Sequence, residues 1–205
     1  TLATESTDIR ANGALSLRLN KSGAYELRKN TIVRTRLNLA GLKPLLPPGT
    51  DLKTTGRITA EIRPSGGLNH PTVRVSGTLD KFKGNGTDFP FAPVILPKCS
   101  FSADTTVAMG KTLESIHIRN LKINGGGLDL QLKGKARMKK TPWKAREFYF
   151  DKGTSLTGTT DFARASRSFP ALIPKEWTLN GTTNIHTDVS GWLSAVTLQL
   201  RADLK

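Results

Sequence analysis

The residues that could do chemistry are few and scattered. The three histidines, His70, His117 and His186, lie far apart, and none stands in an HxH, HExxH or His-plus-Cys spacing that could seat a metal. His117 sits between Ile116 and Ile118, so on a strand it points away from them, toward solvent. Cys99 is the only cysteine, so an intramolecular disulfide and a CxxC motif are both impossible. Beside Pro97 and Phe101 it reads as a buried, inert thiol. Gly125-Gly126-Gly127 has β-patterned residues on both sides and no helix pattern after it, which favours a turn over a phosphate cradle. Nucleophile elbow, P-loop and dinucleotide fingerprints are absent. The expectation is a protein that is not an enzyme and uses no metal or cofactor. What remains is charge. Arg18, Arg34, Arg36, Arg57, Arg63, Arg74, Lys133, Lys135 and Arg137 all fall on the polar parity of candidate strands, and their chemistry is contact with oxyanions.

Composition agrees. The chain has 205 residues with 31 Lys plus Arg against 16 Asp plus Glu, a formal charge of +15. A field of that sign favours nucleic acid, anionic lipid head groups or acidic polysaccharide. Aromatics make up only 6%, too few to interleave stacking platforms with a basic stripe, so specific nucleic-acid binding is not expected. No apolar run approaches the roughly 18 residues a spanning helix needs. The first residues lack a basic flank followed by an apolar core, so they do not form a signal peptide. A start without Met suggests a fragment of a longer chain.

The elements that must position these residues are almost all strands. Leu15, Leu17 and Leu19 alternate with polar residues, as do Val33, Leu37 and Leu39. Phe82 to Pro97 is broken by prolines and reads as edge or irregular strand. Phe101 to Val107 is a further strand. The run Ile116, Ile118, Leu121, Ile123 changes parity at Asn120, where a bulge is expected. Leu128, Leu130, Leu132, Ala136 and Met138 alternate with Asp129, Gln131, Lys133, Lys135 and Arg137, the cleanest amphipathic strand in the chain. Asp151-Lys152-Gly153 reads as a turn. Phe162, Ala165 and Phe169 recur at helical spacing behind Asp161, a good N-cap, with Pro170 and Pro174 ending the segment.

One stretch occurs twice. Leu52 to Leu79 matches Trp177 to Leu204 without a gap at an offset of 125, with Gly56, Ser65, Gly66, Leu68, Thr72 and Leu79 repeated as Gly181, Ser190, Gly191, Leu193, Thr197 and Leu204. In both copies two alternating runs flank Ser-Gly, the pattern of a hairpin with one apolar face. The expected organisation is one continuous repeat-built β domain over residues 1–205, with the repeat at about 37–80 and 162–205. Leu17, Leu37, Ile58, Ile62, Val73, Val75, Leu79, Ile118, Leu130, Leu132, Leu179, Ile185, Leu198 and Leu200 share the apolar parity. Such a face must be covered by a second sheet, closed into a barrel, or curled round a guest.

The unit Leu42-x-x-Leu45-Leu46-Pro47-Pro48-Gly49-x-x-Leu52-x-x-x-Gly56, followed by Ser65-Gly66 and Pro71-x-Val73-x-Val75-x-Gly77-x-Leu79, resembles the repeat of AsmA-like and TamB-like bacterial envelope proteins. Ile118 to Gly134 and Asp161 to Leu193 extend the resemblance to about 37–205. The second copy departs from it, with Ile173-Pro174-Lys175-Glu176 in place of the Pro-Gly, and Trp192 where a small residue is usual. The resemblance implies an all-β fold, a long twisted antiparallel sheet curled into a half-pipe with one or two short helices; the alternative fold is a β-sandwich. It implies conduction of phospholipid along a hydrophobic groove between inner and outer membranes, from a periplasmic position anchored in the inner membrane by a segment outside this chain, with an outer-membrane protein as partner. The apolar-parity residues above would then touch acyl chains, and Arg57, Arg63, Arg74, Lys133, Lys135 and Arg137 would meet head groups or an anionic surface. The alternative function is a structural or interaction module of the envelope, an adhesin or assembly domain with a closed core.

Overall fold

The computed structural model describes residues 9–14, 16–19, 23–28, 30–41, 51, 53–87, 93–109, 113–140, 146–171, 180–192 and 195–204. They form β1 (Ile9–Ala14), β2 (Leu17–Leu19), β3 (Tyr25–Leu27), β4 (Ile32–Asn38), β5 (Lys53–Gly67), β6 (Thr72–Asn85), β7 (Val94–Met109), β8 (Leu113–Gly125), β9 (Leu128–Lys140), β10 (Arg146–Asp161), α1 (Phe162–Ser168), β11 (Thr182–Trp192) and β12 (Ala195–Leu204). Ten strands follow one antiparallel path, β1-β4-β5-β6-β7-β8-β9-β10-β11-β12. From β4 onward each strand pairs with its neighbour in sequence, so every connection is local. β2 and β3 form a small hairpin joined to β5 at Gly66 and Gly67. The path does not close: among the described residues β1 pairs only with β4, and β12 only with β11. The expected open, curled all-β sheet is what is found, with one short helix among the described residues.

Alternation sorts the side chains as the strand period requires. In β4 and β5, Arg34, Arg36, Arg57 and Arg63 are exposed, while Val33, Leu37, Ile58 and Ile62 are half-buried. Directly opposite residues continue each row across the sheet, for example Val33–Ile62–Val75–Ala103–Leu121–Leu132–Leu156–Thr187. The β5–β6 and β11–β12 hairpins pair in the same register: Ser65 with Thr72, Ile62 with Val75 and Ile58 with Leu79, then Ser190 with Thr197, Thr187 with Leu200 and Thr183 with Leu204. The proline-containing segments that precede the two hairpins, residues 42–50 and 172–179, lie outside the described residues.

Irregularities interrupt the long strands at several points. The parity change at Asn120 is a bulge: Ile118 pairs with Thr105 and Asn120 with Asp104, leaving Arg119 between them. Two expectations are corrected. Asp151-Lys152-Gly153 is not a turn but a bulge inside the continuous strand β10, whose register with β9 shifts between Phe150 and Ser155. Of the edge or irregular strand expected over Phe82 to Pro97, residues 88–92 lie outside the described residues, and residues 82–85 and 94–97 belong to the central strands β6 and β7, irregular but not at an edge. The β6–β7 ladder skips Lys81 and Pro97, so the missing proline N–H falls where no ladder bond is needed, and Lys81 absorbs the kink at φ 53°.

The bulge in β10 is held by one hydroxyl. Thr154 is fully buried, and its Oγ1 accepts from Lys135 N (3.2 Å) and donates to Lys135 O (3.3 Å), replacing ladder bonds that the extra residues interrupt. Gly134 lies beneath it at φ +149°, where a Cβ would fall 2.5 Å from the Thr154 Cα. Thr154→Val should therefore destabilise the fold by about 1–3 kcal/mol in urea unfolding, since two backbone groups lose a buried partner. Thr154→Ser should retain most of the stability.

Candidate functional site

The apolar face is the candidate site. Its burial is uneven. Where strands bend, side chains are nearly sealed: Ile118 is 8% exposed, Ala136 3% and Val189 6%. A flat, uncovered sheet could not bury an isoleucine so far, so the sheet curls round this face. Between the bends, Ile62, Val75, Leu121, Leu130, Leu132 and Leu156 are only half-buried. Among the described residues no second sheet lies against them. At one point a small residue makes room for a large one: the Phe101 ring lies over Gly77, within 2.6 Å of where a Cβ would stand. The result is a trough with aliphatic walls.

One end of the trough is closed. α1 follows β10 directly, with Asp161 Oδ1 accepting from Arg164 N at 3.0 Å as the N-cap. The helix seats on the Gly125-Gly126-Gly127 turn between β8 and β9. Gly126 has φ +61° and Gly127 φ +84°, and a Cβ on Gly127 would strike Ala165 N at 2.5 Å. The glycines form the expected turn, and they also admit the helix. Beyond it, Phe169 packs against a cluster of Leu39, Phe82 and Val94, with Leu37, Ile58, Leu79 and Leu96 around it. Cys99, 6% exposed, lies next to this end, and burial pushes its thiol pKa up, the direction that disfavours the thiolate.

Of the residues expected to line a groove, Leu37, Ile58, Ile62, Val73, Val75, Leu79, Ile118, Leu130, Leu132 and Ile185 share this face. Leu198 and Leu200 hold the register positions opposite Val189 and Thr187. Leu17 does not join them; it lies on the side hairpin and is 42% exposed. Leu179 lies outside the described residues. Leu121, Phe101 and Leu156 belong to the face and were not singled out. For Leu156 the only signal was β-branched threonine around it, because the segment reads as polar.

The six basic residues expected at head groups, Arg57, Arg63, Arg74, Lys133, Lys135 and Arg137, occupy the opposite face, as their parity dictates. Three of them are in ion pairs. Arg63 and Arg34 share Glu61, Arg137 Nε donates to Asp151 Oδ1 at 2.8 Å, and Arg74 stands 3.6 Å from Asp104. His117 is exposed on this face, as expected. Compared with models of known families, with curated proteins and with solved structures, the chain matches none.

Asp104 and Glu61 anchor this polar face. Side-chain hydrogen bonds from Arg119 hold the Asp104 carboxyl below its ordinary pKa, with the charge of Arg74 adding to the effect. Hydrogen bonds from Arg63, then Arg34, do the same for Glu61. A depressed carboxylate contributes stability above its unfolded pKa and loses it as pH falls through the folded value. Melting temperature should therefore stay level from neutrality to about pH 5 and fall below about pH 4. Asp104→Asn should melt lower than wild type at neutral pH and converge with it in acid.

Proposed function

We propose that this chain is a segment of a bacterial envelope protein that takes phospholipid acyl chains into its trough and passes lipid between inner and outer membranes. The single observation that supports this most is that Ile62, Val75, Leu130 and Leu132 stay partly exposed in the middle of an apolar face against which no second sheet lies among the described residues. A self-packed module would seal those positions first. Each methylene that leaves water for the trough contributes about 0.8 kcal/mol, so a chain of roughly ten methylenes gains on the order of 8 kcal/mol before ordering costs. The scarcity of aromatics fits a conduit, because bulky rings would plug it. The resemblance to AsmA-like and TamB-like repeats supplies the envelope setting, the periplasmic position and an outer-membrane partner. The polar face, part of whose charge is matched in ion pairs, turns outward to water, and head groups would follow the open mouth of the trough.

A charge placed in the trough separates this reading from a closed structural module. In an open trough the Leu132→Arg or Val75→Asp side chain can reach water, so the melting temperature should move by no more than about 2–4 °C, the equivalent of about 1 kcal/mol for a chain of this size. Native mass spectrometry of the wild-type protein should show phospholipid adducts that both variants lose. In a closed core the same substitutions would leave a buried unpaired charge and unfold the domain, and wild type would carry no lipid.

A further inference from the structure

The polar face holds an arrangement that solubility does not explain. Arg63 of β5 and Arg74 of β6 are direct register partners. Like charges in that position repel across a sheet. Arg63 leans to Glu61 on its own strand, and Arg74 leans across to Asp104 of β7 at 3.6 Å, long for a hydrogen bond. A third guanidinium arrives through the β8 bulge. The residue left out of the ladder is Arg119, and the bulge turns it toward β7: Nε donates to Asp104 Oδ1 at 3.1 Å, Nη2 to the same oxygen, and Nη1 to Thr106 Oγ1 at 2.9 Å. Bulges often re-aim a side chain in this way.

The three arginines and Asp104 surround a concavity of about 430 Å³, which Ser65 and Thr72 also line. Three cations face one anion there. Glu61, the partner of Arg63, is divided with Arg34. We infer that this concavity is a binding site for a phosphate-type oxyanion. A tetrahedral anion offers several acceptor oxygens to planar guanidinium forks, and it removes the repulsion between Arg63 and Arg74. Ser65 and Thr72, which line the concavity, carry hydroxyls of the kind that donate to such oxygens. Asp104 holds Arg119 and Arg74 in position. The site faces away from the trough and does not depend on lipid entering it. The same chemistry suits a phospholipid head group or a free phosphate.

Calorimetric titration of the whole chain with inorganic phosphate tests the site. Wild type should bind saturably. Arg74→Gln and Arg63→Gln, each at an exposed side chain, should weaken binding about tenfold or more, or about 1.4 kcal/mol. Lys122→Gln removes the same charge from the same face outside the concavity and should change affinity less than about twofold. Vesicles of phosphatidylglycerol, with phosphatidylcholine vesicles as reference, identify the source. Vesicle binding lost in Arg74→Gln supports a head-group site, and phosphate binding without vesicle binding supports a soluble phosphate. Equal weakening by Lys122→Gln, or no saturable phosphate binding up to about 20 mM, would overturn the inference and leave only a diffuse positive field.

Discussion

An apolar sheet face with no second layer against it has one way to leave water, which is to bend round itself. That constraint organises this chain. Each Leu, Ile or Val side chain that is sheltered gains about 1.5–3 kcal/mol, while most ladder bonds between neighbouring strands are kept as the sheet curves. Curling therefore costs little in hydrogen bonding and gains where side chains converge. Ile118, Ala136 and Val189 show the gain. The half-buried middle, from Ile62 through Leu132, shows where it stops.

The devices that bend the strands are also those that shape everything else. The Thr154 bulge lets β10 turn while its hydroxyl replaces the interrupted ladder. The Lys81–Pro97 kink carries Phe82 and Leu96 onto the apolar side, where they meet Phe169 and close one end. The Arg119–Asn120 bulge turns a guanidinium onto Asp104, and Asn120 Oδ1 accepts from Gln131 Nε2 at 2.6 Å. Curvature on one face and charge clustering on the other thus share a cause.

Much of the fold was legible in the residues. The alternation from Leu128 to Met138, the parity change at Asn120 and the Asp161 cap each have a local physical signature, and each is found where that signature lies. Asp151-Lys152-Gly153 and Pro97 misled because turns and bulges draw on the same residues, and only the partner strand decides between them. Parity placed the six basic residues on one face correctly. It could not tell that Arg63, Arg74 and Arg137 would be matched with Glu61, Asp104 and Asp151, since alternation gives the face a side chain lies on and not the partner it leans to. Arg119 was invisible as a cluster member for the same reason. Leu17 has the right alternation but sits on a hairpin that leaves the main path, something only the topology reveals.

The central claim is that acyl chains lie against one face of this sheet, and the strand period makes it testable at single-residue resolution. β9 presents Leu130 and Leu132 to the trough and exposes Lys133 on the other face. A photoreactive side chain placed in turn at residues 130, 131, 132 and 133, in the protein expressed in a bacterium with a double membrane, reads the contact directly. Phospholipid adducts at 130 and 132, with none at 131 and 133, are the predicted result. Adducts at none of the four positions, or at all four alike, would contradict it.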